Sequence, residues 1–235
     1  MSAPHQFDSS LTNRLLAALP RIEFERLAPQ LQKVDLKKGI IYDAGSTVQH
    51  AYFLQSGMIS LLSVTSKDQV IEVGVAGYEG MIGIPSVLRN KRAPLRSLVQ
   101  IPGSALRISA DALRQEFKRG GELQDLILCY THSLTTQIGQ VVACNHYHTN
   151  EQRLSRWLLM TRVRSDTFHL THEFIAYMLG TTRSGVTSAA GVLQEAGMIR
   201  YRRGKITILD EKKLETATCD CYRLIREDNT RFLAA

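Results

Sequence analysis

Three cations crowd one turn of this chain, where Arg202, Arg203 and Lys205 surround Gly204 in GMIRYRRGKITILD. Read as strand, turn and strand, the run forms a hairpin with a basic tip. Such a tip can meet phosphates, and each phosphate it neutralises adds salt-sensitive affinity; the plainer alternative is a solvated tip with no partner. Just upstream, Ser184, Thr187, Ser188 and Gly191 are spaced to share one face of a helix, while Val186, Ala189, Ala190 and Leu193 take the other. The first face is small, polar and flat enough to enter a major groove. A second group of residues carries sulfur and imidazole: Cys219 and Cys221 form a C-x-C pair, and Cys144, His146 and His148 follow one another at steps of two. Two thiols do not close a metal site, and alternation by two suits a strand better than a helix. No metal site is expected from either group.

The elements needed to position these residues can be read from caps and periodicity. Thr171 is placed to cap a helix over Phe174 to Leu179, with Glu173 in its first turn; Gly180 then supplies a sharp turn, and Thr181 or Thr182 caps a second helix running to about Glu195. Trp157, in the amphipathic stretch TNEQRLSRWLLMTR, is expected in the core of the last domain. Residues 122 to 145 read as one long helix in which Leu123, Ile127, Tyr130, Leu134, Gln137, Val141 and Cys144 recur at heptad spacing. That spacing predicts a seam between two copies across a dyad, or a single helix packed on its own domain. Residues 34 to 108 alternate at period two between glycines, indicating a small antiparallel barrel or roll. Ser109 and Asp111 can start the helix after it, and Gly120 with Gly121 can end that helix. Residues 11 to 33 read as a helical lead-in broken at Pro20, with Leu15, Leu16, Leu19, Ile22, Leu27 and Leu31 as apolar contacts.

Composition narrows the class. The 235 residues carry 29 Lys and Arg against 22 Asp and Glu, a formal net charge of +7, and residues 151 to 209 hold nine cations against four anions. A basic surplus of this kind attracts polyanions. The N-terminus has no charged start followed by an apolar stretch, no apolar run is long enough to span a bilayer, and the four cysteines form no disulfide framework. A cytoplasmic protein without a membrane partner is expected. No glycine-rich phosphate loop, nucleophile elbow or carboxylate pair is present, and the barrel segment holds only His50, too few ligands for a cupin-type metal enzyme. The chain is not expected to be an enzyme. A ligand-binding module without DNA is the remaining rival.

GIIYDAGSTVQHAYFLQSGMISLL, GYEGMIG and THEFIAYMLGTTRSGVTSAAGVLQEAGMI occur in an order and spacing that resemble the CRP/FNR family over nearly the whole chain. The resemblance implies an α+β fold: an N-terminal antiparallel β-roll like that of cyclic-nucleotide-binding domains (1–121), a long dimerisation helix (122–148) and a C-terminal winged helix-turn-helix (149–235). It implies a homodimeric transcription regulator whose partners are double-stranded DNA, a second copy of itself and RNA polymerase. Arg183 matches the family's guanine-reading arginine, whose fork suits O6 and N7. Ser184 and Ser188 replace the usual glutamate and second arginine, so the half-site should differ, with Ser184, Thr187 and Ser188 facing bases. Thr171, His172 and Thr182 match phosphate contacts at helix starts, although His172 equally suits an ordinary exposed position. Gly80, Met81, Ile82, Gly83, Arg96 and Ser97 stand where relatives hold a cyclic nucleotide. Met81 replaces the ribose-binding glutamate, which argues against one, and Arg96 could be a plain solvated strand residue. No other cofactor is expected, and the N-terminal cysteines of iron-sulfur members are missing.

Overall fold

A computed structural model describes residues 11–162 and 167–231. The chain opens with α1 (Arg14–Ala17), whose N-cap Asn13 accepts a hydrogen bond from the Leu16 N–H, and α2 (Arg21–Leu27), followed by a 3-10 turn over Ala28–Gln30. Pro20 has no N–H to donate and fits the entry to α2. Leu15, Leu16, Leu19 and Leu27 are buried as expected, but Ile22 is 68% exposed. The break at Pro20 resets the helical phase, so Ile22 no longer shares a face with Leu19.

Strands β1 (Gln32–Leu36), β2 (Gly39–Tyr42), β3 (His50–Leu54), β4 (Met58–Val64), β5 (Val70–Ala76), β6 (Met81–Ile82), β7 (Arg96–Ile101) and β8 (Gly103–Ser109) follow. They form two four-stranded sheets, in the orders β1-β8-β3-β6 and β2-β7-β4-β5. Pairing is antiparallel, with Gln32 opposite Arg107, Tyr52 opposite both Arg107 and Ile82, and a register shift between Ile40 and Tyr42. Burial does not alternate strictly: Met58 to Leu62 of β4 and Glu72 to Ala76 of β5 are buried at every position, and Phe53, Leu54, Ile59, Met81 and Ile108 are fully or almost fully buried. This is the β-roll.

Helix α3 (Ala110–Lys118) starts at Ser109, whose hydroxyl accepts from the Ala112 N–H. After Gly120 and Gly121, α4 runs over Glu122–Tyr147. Its first turn is capped from α2: the Glu23 carboxylate accepts from the backbone N–H groups of Glu122 and Leu123 at 3.1 and 2.9 Å, which satisfies two donors no helix can satisfy internally.

The heptad residues of α4 do not face outward. Leu123, Ile127, Tyr130, Gln137, Val141 and Cys144 are buried within their own chain, and Leu134 is half-buried. The Tyr130 hydroxyl donates to the Met81 carbonyl at 3.2 Å, and the Gln137 side chain accepts from the Val75 N–H at 2.5 Å. The expectation of a dimer seam along these seven residues is therefore corrected. Any helix that buries one stripe shows this spacing, and here the chain itself supplies the cover. The outward stripe of α4 holds Leu128 (49% exposed) and Val142 (57% exposed), with His132, Thr135 and Gly139 between them.

Two compact units result. One contains the roll, α1 to α3 and the first part of α4; the other joins Leu62–Val75, the outer part of the β4–β5 hairpin, to Leu134–Asp228. The second unit contains α5 (Asn150–Arg162), β9 (Thr167–His169), α6 (His172–Leu179), α7 (Arg183–Glu195), β10 (Ile199–Arg202), β11 (Lys205–Ile208) and α8 (Glu211–Thr216); α9 (Asp220–Arg231) begins within it. Its core holds Leu154, Trp157, Ile175, Leu179, Val186, Ala189, Leu193, Ile199 and Ile206. The Trp157 indole donates to Glu72 at 2.8 Å, giving a buried polar group its required partner. No helix among the described residues is long and apolar enough to cross a membrane.

Candidate nucleic-acid interface

The two helices of the interface are set by their ends. The Thr171 hydroxyl accepts from the Phe174 N–H and caps α6; the Thr182 hydroxyl accepts from the Gly185 N–H and caps α7, each at 3.1 Å. Between them Gly180 is left-handed, at φ 59°, and the Thr181 N–H reaches back to the Ala176 carbonyl, the bond that closes a Schellman turn. A Cβ at Gly180 would also fall 2.3 Å from the Ile71 Cδ1 atom. Backbone sign and crowding both require glycine at this corner.

Helix α7 buries Val186, Ala189, Ala190 and Leu193 and turns Arg183, Ser184, Thr187 and Ser188 to solvent. The hydroxyls are not all unengaged. Ser184 shares a hydrogen bond with Thr182 at 3.0 Å, and Thr187 donates to the Arg183 carbonyl at 2.9 Å. With its one proton used there, Thr187 receives the proton of the His172 Nδ1 atom, 2.8 Å away. The His172 ring is half-buried and stacks on Tyr201, with centroids 4.2 Å apart and planes 20° from parallel. Burial, then the nearby Arg183 charge, lowers its pKa below the ordinary histidine value. His172 is therefore not an ordinary exposed histidine. It is a brace joining the start of α6 to α7 and to the hairpin.

That hairpin pairs Ile199 with Ile208 and Arg202 with Lys205, leaving Arg203 and Gly204 as a two-residue loop. Both have positive φ, 51° and 75°, as a type I′ turn demands. Strand β9 completes the sheet against β11. Arg200, Arg202, Arg203 and Lys205 line one open concavity together with Thr207. Arg200 was absent from the sequence-based set. Period-two alternation could have found it, since Arg200 and Arg202 point the same way from β10.

The residues proposed for an effector are differently placed. Met81 and Ile82 are buried in the roll, and a Cβ at Gly80 would overlap the Tyr130 ring at 2.4 Å. Gly83, at φ 104°, lies tight against the backbone of His50 and Ala51, and Ser97 is buried. Arg96 is no plain solvated residue: it grips Asp43 with two bonds, at 2.8 and 3.2 Å. As the chain stands, the turn packs into the roll and the Arg96 guanidinium is paired with Asp43.

A capped helix, a glycine corner, an outward polar helix face and a basic wing define a DNA-binding transcription regulator. The comparisons agree. Residues 35–119 match the model of the cyclic nucleotide-binding domain, and residues 152–217 match that of the Crp-like helix-turn-helix domain. The global nitrogen regulator of Synechocystis is 27% identical over 215 residues, 86% of this chain and 95% of that protein. Two solved structures share the fold. A CRP/FNR-family transcriptional regulator from Eubacterium rectale has a TM-score of 0.69 at 21% identity, covering 86% of this chain and 96% of its own. FixK2 from Bradyrhizobium japonicum has a TM-score of 0.68 at 14% identity, covering 80% and 98%. The chain belongs to the CRP/FNR family of transcription regulators.

Proposed function

We propose that the chain acts as a cytoplasmic homodimer that recognises a two-fold operator, with Arg183 reading a guanine and Ser184, Thr187 and Ser188 facing neighbouring bases. The observation that carries this reading is the outward face of α7 lying beside a wing with four cations. Arg200, Arg202, Arg203 and Lys205 would grip the adjacent backbone, and the N-termini of α6 and α7, at Thr171 and Thr182, would add N–H donors to phosphate. Hydroxyls discriminate bases weakly, so Arg183 carries most of the specificity.

The dimer forms along the outward stripe of α4, Leu128, His132, Thr135, Gly139 and Val142, where Gly139 lets two helices approach closely. Two copies of α7 then enter major grooves about 34 Å apart. The roll works without a cyclic nucleotide of the usual kind, because Met81 is a core residue and Arg96 is committed to Asp43. RNA polymerase is the downstream partner, and the chain catalyses nothing. Recovery of bound DNA fragments from the native host tests the assignment. A shared inverted repeat containing guanine in each half, lost when Arg183→Ala replaces the parent, is the expected result; fragments with no common sequence would overturn it.

A further inference from the structure

The last turn of α4 and the first turn of α9 bring four potential ligands into one place. Cys144 is fully buried, and the His148 N–H still bonds to the Cys144 carbonyl at 3.2 Å. The helix thus sets the two side chains four residues apart on one face. Cys219 and Cys221 arrive at the start of α9, where the Tyr222 N–H bonds back to the Cys219 carbonyl at 3.3 Å. The Cys144 and Cys219 Sγ atoms are 3.5 Å apart, the Cys221 Sγ atom is 3.6 Å from the His148 Nδ1 atom, and all four donor atoms lie within 4.8 Å of one another. His146 is exposed and outside the group. The alternation read from the sequence as a strand lies on a helix as far as Tyr147, and the fold brings the two cysteine groups, expected separately to hold no metal, into one cluster.

We infer that Cys144, His148, Cys219 and Cys221 hold one divalent metal ion of the zinc class in a closed Cys3His site. Metal–sulfur bonds of about 2.3 Å and a metal–nitrogen bond of about 2.0 Å require tetrahedral edges of about 3.5 to 3.8 Å; the Cys144–Cys219 and Cys221–His148 separations are near this, and the other donor pairs, all within 4.8 Å, would draw in by at most about 1 Å on binding. Three thiolates around a divalent ion leave one negative charge. The Arg156 guanidinium, itself 3% exposed, stands 3.3 Å from the Cys144 Sγ atom to offset it. The His148 Nε2 atom faces Asp220 at 3.9 Å, where a carboxylate can orient a ligating imidazole. A merely apolar cluster of thiols would require neither the buried cation nor the directed ring. Binding displaces the thiol protons to solvent and involves no redox step. With four protein ligands no position stays open for substrate, so the ion acts as a clip, tying α9 to the end of α4 just ahead of α5.

Full-length protein, purified under reducing conditions without chelator, should contain about one zinc per chain. Cobalt(II) added to the metal-free chain should give the intense visible bands of a tetrahedral thiolate complex, bleached by zinc. In the loaded protein a thiol reagent should modify only the exposed Cys129, and after chelation the other three thiols as well. Cys219→Ser should weaken metal binding at least about tenfold, whereas Cys129→Ser should leave it unchanged. The cobalt spectrum and thiol reactivity of the parent protein keep the test decisive if Cys219→Ser does not fold. Absence of the bands in folded protein would overturn the inference. So would a full metal load in folded Cys219→Ser, a Cys144–Cys219 disulfide in protein capped at lysis, or bound iron with sulfide.

Discussion

At the scale of single residues, Arg183 and His172 do opposite work although both border the same helix. Arg183 projects outward, and its fork is what a guanine edge requires. Arg183→Lys keeps the charge but loses the two-pronged fit, so it should lower discrimination between operator and scrambled duplex by about 1–3 kcal/mol while preserving the salt dependence; competition binding measures both. His172 turns to Thr187 and Tyr201 instead. Its folded-state pKa lies below that of an unfolded histidine, because burial and then Arg183 disfavour the charged ring. The unfolded chain therefore takes up the proton first as pH drops. The stability His172 lends is present in full above the ordinary histidine value and is lost as pH falls from there through the folded value. An NMR titration should find the His172 ring titrating below the ordinary histidine value; a midpoint at or above it would contradict the brace.

At the scale of elements, the ends were legible and the faces were not. Thr171, Gly180, Thr182 and Ser109 stop or start helices through local bonds that sequence neighbours dictate, so α3, α6 and α7 begin and end near where the residues indicate. The stripe from Leu123 to Cys144 allows a dimer seam or a helix packed on its own chain, because a heptad records only that one side is buried; here the cover comes from elsewhere in the chain. Cys144 and Cys219 meet across 75 positions of sequence, a separation no spacing rule reads. Arg96 pairs with Asp43 across 53 positions, a partner that local spacing does not reveal either. The corrected α4 makes a clean prediction. Ile127→Ala should destabilise the chain by about 2–5 kcal/mol in urea denaturation, whereas Val142→Asp should leave unfolding nearly unchanged and shift sedimentation from dimer to monomer. If Val142→Asp stays dimeric, the outward stripe is not the seam.

At the scale of the whole molecule, a basic chain with a net charge of +7 binds any polyanion to some degree, and specificity must come from geometry. The wing supplies sequence-independent grip and α7 supplies the reading, so the two should separate experimentally. Arg203 is suited to the test because its φ of 51° is a backbone state glycine adopts without strain. Arg203→Gly removes the charge and keeps the turn. Fluorescence anisotropy over a range of salt, with operator and scrambled duplexes, then separates the two. Arg203→Gly should weaken both duplexes alike and reduce the salt slope by about one, while Arg183→Ala should lower affinity for the operator alone. If both variants bind both duplexes as the parent does, the outward face of α7 and its wing are not where this protein meets DNA.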